Sequence, residues 1–168
     1  MNFAQELNDM YTSKRAERLE NREEIMERRS REIKLFFEKE VLENAKTRMK
    51  ERAEKGKPTA NILEYSQNER FYVDGDMIVR FVDMEVDRPN YRIHNVVMKD
   101  PVFAKLLNDF ENEISTDEVP IKFTKWRPRD NLRVIEAVWG KNRYHRTNNS
   151  MTKKPSYKSY KTATITKN

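Results

Sequence analysis

The segment from Ser13 to Gly56 restricts the fold of this chain more than any other part of the sequence. The 42 residues between its two ends contain no Gly or Pro, and 25 of them are charged. Most are Glu, Lys and Arg, which lose little side-chain freedom in a helix. Thr12 or Ser13 can cap the first turn, while Gly56 and the following Pro58 form a strong stop signal. The segment therefore predicts one uninterrupted helix, roughly 63 Å long.

The apolar residues of this helix fall on one stripe at about 100° per residue. They are Leu19, Met26, Ile33, Phe37, Val41 and Ala45. The first three are spaced by seven residues, but the intervening heptad positions are charged or polar, which disfavours a coiled coil. The second half of the helix is richer in large apolar residues, so we expect it to pack on the chain's own domain. The first half then projects, and Leu19, Met26 and Ile33 are its candidate partner-binding residues.

Composition limits the core and excludes several classes of function. Hydrophobic residues are 36% and charged residues 37% of the chain, against roughly 45–50% and 25% in ordinary domains. No stretch approaches the ~20 apolar residues of a membrane span, and the N-terminus lacks the basic and apolar regions of a secretory signal. We therefore expect an intracellular or virion protein that is not secreted. The absence of cysteine excludes disulfides, a thiolate nucleophile and a Cys-based zinc site.

The net charge of +6 is concentrated at the C-terminus. Residues 141–168 contain eight basic side chains and no acid, which leaves −2 for the first 140 residues. This segment has few large apolar residues, so it cannot bury enough surface to order itself alone. We expect an extended basic tail that binds an acidic protein surface or nucleic acid. Its candidate contact residues are Arg143, Tyr144, Arg146, Lys153, Lys154, Lys158 and Lys161.

Between the long helix and the tail, the sequence predicts short strands and one helix. The predicted strands are Ile62–Tyr65, a hairpin over Phe71–Val82 that turns at Asp74-Gly75, Tyr91–Met98, Val119–Trp126 and Leu132–Trp139. A helix follows Asp100 as N-cap, with Pro101 at its first position. We predict an α+β fold with a long N-terminal helix, a small, mostly antiparallel sheet with one packed helix, and an extended basic tail. The predicted divisions are a helical arm (1–56), an α+β domain (57–140) and the tail (141–168).

Residue patterns typical of catalysis are scarce. Three isolated glycines exclude the glycine-rich phosphate loops. His94 falls in a predicted strand, where a structural role is expected, and His145 has no neighbouring carboxylate. On a strand, Asp83, Glu85 and Asp87 would share a face that could hold Mg²⁺ with help from the nearby hairpin acids, although a solvated polar face explains them equally. We expect a protein that is not an enzyme and has no cofactor or metal.

A second candidate binding surface mixes basic and aromatic residues within Lys122–Arg133. Lys125, Trp126, Arg127 and Arg129 could stack bases and neutralise phosphates. A nucleic-acid-binding accessory protein is therefore the alternative to a protein that joins other protein subunits. Strand alternation also allows Trp126 to cover a sheet edge.

The segment from Ala60 to Trp139 resembles small proteins of large double-stranded DNA viruses. The resemblance rests on a Gly-Lys-Pro linker into a strand, on FYVDGDMIVRF, and on KFTKWRPRDNLRVIEAVWG. It implies a virion-associated, minor capsid-type role and no catalytic residue. Together with the residue patterns, it leads us to expect a structural protein that joins neighbouring subunits in a large assembly.

Overall fold

A computed structural model describes residues 2–140 of the chain; Met1 and the predicted tail, with all seven of its candidate contact residues, lie outside the described residues. The helices are α1 (Phe3–Phe37), α2 (Glu43–Glu54), α3 (Ile93–Lys99) and α4 (Pro101–Ile114), and a π-helical turn at Glu38–Leu42 joins α1 to α2. The strands are β1 (Thr59–Ser66), β2 (Arg70–Asp74), β3 (Met77–Phe81), β4 (Tyr91–Arg92), β5 (Lys122–Arg129) and β6 (Leu132–Val138). The predicted α+β class and long N-terminal helix are confirmed. Among residues 2–140, no helix has the length and apolar character needed to cross a bilayer.

The long helix begins earlier than the sequence predicted. Asn2 is its N-cap, because the Asn2 Oδ1 accepts a 2.8 Å hydrogen bond from the Gln5 backbone N–H. Thr12 caps nothing; its hydroxyl donates to the Asn8 carbonyl within the helix at 2.8 Å. Residues 3–12 are thus part of the same helix as the predicted segment. From Phe3 to Glu54 the helix is roughly 78 Å long.

The predicted end of this helix is confirmed. Gly56 has φ +74°, the left-handed conformation that glycine adopts without strain. The Gly56 N–H donates to the Ala53 carbonyl and the Lys57 N–H to the Arg52 carbonyl. These two bonds are the pattern of a Schellman motif, which satisfies carbonyls left free at the end of a helix.

The π-helical turn keeps one face of the long helix against the core. Phe37, Val41 and Ala45 are all buried, although a spacing of four residues drifts by about 40° per step around an ordinary α-helix. The wider π turn absorbs part of that drift, because its hydrogen bonds span five residues. The second half of the helix therefore packs on its own domain, as predicted.

The strands form two three-stranded antiparallel sheets. Their orders are β1-β6-β5 and β3-β2-β4. The predicted hairpin is confirmed, but Asp74 pairs with Met77, so the loop residues are Gly75 and Asp76. Only Gly75 of this pair has a positive φ, as in a type II′ turn.

The predicted strand Tyr91–Met98 is wrong beyond Arg92, where α3 begins. The buried residues of α3 are Ile93, Val96 and Val97, a helical spacing that covers one face. Their β-branched side chains favour strands as an intrinsic preference, but packing overrides that preference. His94 consequently lies on a helix.

One hydrophobic core joins the long helix, both sheets, α3 and α4. Phe36 is fully buried and stacks on Phe71 of β2, with ring centroids 4.2 Å apart. Phe37 meets Phe103 and Phe110 of α4 edge to face. The helix that starts at Asp100 is confirmed: the Asp100 carboxylate accepts hydrogen bonds from the backbone N–H groups of Val102 and Phe103. These contacts fix the direction in which the first half of α1 leaves the domain.

A candidate docking arm and a basic surface

The first part of α1 projects from the domain as an arm. Every residue from Asn2 to Glu27 is exposed, whereas Arg28 and Arg29 are partly buried. This arm spans roughly 37 Å of helix. Its apolar side chains are more than half exposed at seven positions, which are Phe3, Leu7, Met10, Tyr11, Leu19, Ile25 and Met26.

The structure divides the three predicted partner-binding residues of the helix. Leu19 is 52% and Met26 62% exposed, so both are available to a partner. Ile33 is 0% exposed and belongs to the chain's own core, which corrects its assignment as a docking residue. The stripe available for docking is therefore Leu19 and Met26, which we call the docking stripe.

Charged residues border the docking stripe differently on its two sides. At about 100° per residue, one side carries Arg15, Arg18 and Arg22, and the other carries Glu20, Glu23 and Glu27. We call these rows the arginine ridge and the glutamate ridge. None of the six side chains forms an ion pair with another residue in 2–140. The surface that a partner can contact is thus one apolar stripe between two ridges of opposite charge.

A second apolar patch lies near the start of the arm. Phe3, Leu7, Met10 and Tyr11 follow helical spacing on a different face from the docking stripe, and all are exposed. This patch is not among the predicted sites, although its i, i+4, i+7, i+8 spacing is already visible in the sequence.

The base of the arm is fixed to the domain by polar contacts. The Arg29 Nε lies 3.2 Å from the Asp100 Oδ2, and the Arg29 guanidinium lies over the Tyr91 ring at 5.2 Å. The Tyr91 hydroxyl donates to the Glu32 carboxylate at 2.8 Å. Burial and this hydrogen bond raise the pKa of Tyr91, so it remains a neutral donor.

Strand alternation separates the predicted basic and aromatic residues of β5. Lys125 is partly buried on the face that carries Phe123, and its Nζ donates to the Val97 carbonyl at 2.9 Å. Burial lowers the pKa of Lys125. Trp126 lies on the opposite face, while Arg127 and Arg129 are exposed. Lys125 and Trp126 therefore do not form one stacking platform.

Trp126 instead lines a cleft of 490 Å³ between α2 and the β1-β6-β5 sheet. The charged residues of this cleft are Arg48, Glu51, Arg52, Lys55, Glu64 and Glu136. Three are basic and three acidic, so the cleft favours neither anions nor cations. One of its arginines also has a structural role, since the Arg52 Nε donates to the Thr59 carbonyl at 2.9 Å.

Cations converge near the start of β6, where Arg127 and Arg133 of the predicted basic stretch meet residues from a distant part of the chain. Arg92, His94 and Lys99 come from the β4–α3 segment, Arg127 from β5 and Arg133 from β6. We call these five residues the basic surface. The Tyr65 hydroxyl and the His94 Nδ1 are hydrogen-bonded at 3.0 Å. These side chains are brought together only by contacts between distant parts of the chain, so sequence spacing could not reveal them.

Electrostatics within the basic surface disfavours additional positive charge. Burial lowers the pKa of His94, and the charges of Arg133, Arg92 and Lys99 lower it further. The pKa of Arg133 is lowered by burial and then by Arg127. Burial raises the pKa of Tyr65, which stays a neutral phenol.

The predicted carboxylate site is not assembled. β3 ends at Phe81, so Asp83, Glu85 and Asp87 lie in a loop rather than on one face of a strand. Asp83 has φ +56°, which turns the backbone within this segment. Within residues 2–140 there is no group of three or more His, Cys, Asp or Glu side chains that could hold a metal ion.

The fold and these two surfaces define an α+β protein with a projecting helical arm. Comparisons with protein-family models, with curated proteins and with solved structures found no significant match. The function has therefore to be argued from the arm and the basic surface themselves.

Proposed function

We propose that this chain is a non-enzymatic interaction protein that joins neighbouring subunits of a larger assembly, with the arm as its docking element. The observation that supports this best is an arm of exposed helix on which seven large apolar side chains are more than half exposed to solvent. Exposed apolar groups concentrated on one element mark interaction sites, because leaving them in water is unfavourable.

The ridges beside the docking stripe indicate the chemistry of the partner. Leu19 and Met26 suit an apolar groove, as in other cases where an amphipathic helix binds along a surface. We expect acidic residues on the side of that groove that meets the arginine ridge. We expect basic residues on the side that meets the glutamate ridge. A partner with this distribution of charge would bind the helix in a single orientation, since opposite charges steer association and like charges oppose it.

A second copy of the chain fits the arm less well than a different protein does. Two antiparallel arms would bring arginine ridge against arginine ridge and glutamate ridge against glutamate ridge. Two parallel arms would match the ridges, but Ile33 continues the docking stripe and is already covered by the domain. Each domain would therefore occupy the space that the other helix needs. We accordingly propose a groove on another protein subunit.

The assembly that we propose is a virion, on the basis of the sequence resemblance of Ala60–Trp139 to small proteins of large DNA viruses. In that setting, the chain would act as a minor capsid-type component. The expectation is that it co-purifies with intact particles, and its absence from washed particles would contradict this setting while leaving the docking arm itself open to test.

The docking stripe can be tested with a partner identified through it. A photo-cross-linking residue at Met26 should capture a subunit that the same residue at Asn21, on another face of the arm, does not capture. With that subunit purified, the double variant Leu19→Asp/Met26→Asp should bind at least about a hundredfold more weakly, because each buried side chain contributes about 1.5–3 kcal/mol. The loss should persist at high salt, since apolar burial is not screened.

The matched control is Ser13→Asp/Asn21→Asp, which adds the same charge to exposed positions outside the stripe. This control should bind like the unmodified chain. Equal binding by both double variants would refute the docking stripe. A dimer in light scattering that Leu19→Asp/Met26→Asp dissociates would refute the different-subunit partner in favour of a second copy.

The alternative function is a nucleic-acid-binding accessory protein, as the sequence also suggested. The separation of Lys125 from Trp126 weakens the version of this idea that used β5 as a stacking platform. The basic surface gives nucleic-acid contact a different location, on β4, α3, β5 and β6.

A further inference from the structure

Arg133 is a buried cation without an ion-pair partner. It is 5% exposed, and none of the ion pairs within residues 2–140 includes it. Its Nη1 donates to the Asp130 carbonyl at 2.8 Å and to the Leu132 carbonyl at 3.1 Å. Its Nη2 donates to the Gln67 side-chain oxygen at 2.9 Å. These bonds orient the guanidinium, but neutral carbonyls do not cancel its charge.

Gln67 places a second arginine beside the first. The Arg92 Nε donates to the Gln67 backbone carbonyl at 3.1 Å, so one residue holds both Arg92 and Arg133. Arg127 is exposed on the neighbouring strand, and it is close enough for its charge to lower the pKa of Arg133. The partly buried His94 and the exposed Lys99 complete the surface.

Holding these cations together costs free energy in the unbound protein: the charge of Asp130 raises the pKa of Arg133, but burial and Arg127 outweigh it and the pKa stays lowered. Arg92, Lys99 and Arg127, like Arg133, take part in no ion pair among residues 2–140. Burial and the neighbouring cations both disfavour the charged form of Arg133, and a bound anion would relieve both penalties. The arrangement therefore keeps a net positive charge that a bound anion can neutralise.

We propose that the basic surface of Arg92, His94, Lys99, Arg127 and Arg133 binds the phosphate backbone of a nucleic acid. Arg127, Arg92 and Lys99 make the contacts. Arg133 supplies a fixed positive charge beneath them and holds the β5–β6 turn in place. The site is distinct from the docking arm and does not depend on it.

The number and spread of the cations favour a polymer over a small anion. A single phosphate group carries at most about two negative charges, fewer than the four guanidinium and ammonium groups of this surface. The cations also come from four separate elements, a spread that suits an extended ligand better than one small ion. A nucleic-acid strand presents phosphates every few ångströms, and arginine binds them through paired N–H groups.

The test is binding of a fluorescently labelled oligothymidylate to the full chain over a range of salt concentrations. Arg92→Gln/Arg127→Gln should remove two phosphate contacts and lower the slope of log affinity against log salt by about 1.4. At about 0.1 M salt this corresponds to about 25-fold weaker binding. In the unmodified chain, the pKa of His94, followed by NMR, should rise when the oligonucleotide binds.

The matched control is Lys39→Gln/Lys46→Gln, which removes the same charge from exposed positions on the long helix. It should keep the salt slope and the affinity of the unmodified chain, and both double variants should melt normally. If the site variant binds like this control, nucleic acid is bound elsewhere and the proposal fails. Displacement of the oligonucleotide by inorganic phosphate at equal phosphate concentration, or by polyglutamate at equal charge, would overturn the choice of ligand.

Discussion

His94, in the basic surface, makes the stability of the protein depend on pH. Its Nδ1 is hydrogen-bonded to the Tyr65 hydroxyl, and burial followed by the charges of Arg133, Arg92 and Lys99 lowers its pKa below the ordinary value of 6.5. Below that ordinary value the unfolded chain takes up a proton at His94 more readily than the folded chain does. Acidification therefore removes stability, and the stability contributed by the neutral form is complete only above the unfolded pKa.

We predict that His94→Gln loses less stability than the unmodified chain when the pH falls from about 7 to about 5. Glutamine carries no titrating group, so it adds no proton-linked penalty at this site. Urea unfolding at several pH values measures the effect as the slope of unfolding free energy against pH. Parallel slopes for the two proteins would show that His94 keeps its ordinary pKa in the folded state.

Phe110 shows how much one buried side chain contributes to the core. It is 3% exposed and lies against Phe37 of the long helix and Phe123 of β5. We predict that Phe110→Ala lowers the free energy of unfolding by about 3–5 kcal/mol, because it leaves a cavity between these elements. Leu19→Ala, at an exposed helix position, should change it by no more than about 0.5 kcal/mol. Chemical denaturation of both variants provides the comparison.

At the scale of elements, Asp100 links the start of α4 to the base of the arm. Its Oδ1 caps α4 through two backbone N–H groups, and its Oδ2 lies 3.2 Å from the Arg29 Nε. The carboxylate is almost fully buried, whereas Arg29 is partly exposed. One side chain thus serves both the helix cap and the attachment of α1.

We predict that Asp100→Ala destabilises the protein by about 2 kcal/mol, chiefly through loss of the cap. Asp100→Asn keeps an oxygen that can cap the helix and loses only the charge opposite Arg29, so its cost should be clearly smaller. Thermal unfolding of the two variants separates the cap from the ion pair. An equal loss in both would mean that the contact with Arg29, rather than the cap, provides the stability.

On the scale of the whole molecule, the core and the arm occupy different parts of the described chain. Within residues 2–140, the hydrophobic core extends from Ile33 to Trp139, whereas residues 2–27 are exposed. Arg80 links three parts of this core region. Its Nε lies 2.7 Å from the Glu69 Oε2, and its Nη1 lies 3.5 Å from the Glu40 Oε1. Its Nη2 donates to the Glu64 carbonyl at 2.6 Å. Burial alone lowers the pKa of Arg80, but Glu69 and Glu40 outweigh it and raise that pKa.

We predict that a chain ending at Gly140 melts cooperatively within a few degrees of the full-length protein. The physical reason is that residues 2–140 already contain a closed core that joins both sheets and the helices. Calorimetry of the two chains provides the measurement. A large drop in melting temperature or a loss of cooperativity would mean that residues 141–168 contribute to the fold instead of to a partner surface.

The sequence by itself determined the features that depend on neighbouring residues. The helix end at Gly56, the cap at Asp100 and the hairpin around Gly75 were all predictable, because caps and turns are decided within about four residues. The α+β class followed from apolar periodicity, and so did the packing of the more apolar second half of the long helix. Even here, Asn2 rather than Thr12 begins the helix, since a continuous helix offers no free backbone donors at Thr12.

Only the tertiary structure decided which of these residues remain free to act. Leu19, Met26 and Ile33 are equivalent by spacing, but the domain covers Ile33 alone. Ile93–Lys99 is a helix although its side chains favour a strand, because burial of one face outweighs intrinsic preference. Arg92 and Arg133 are far apart in sequence, and both bond to Gln67. Contacts of this kind depend on how distant segments pack, a property that local sequence chemistry does not encode.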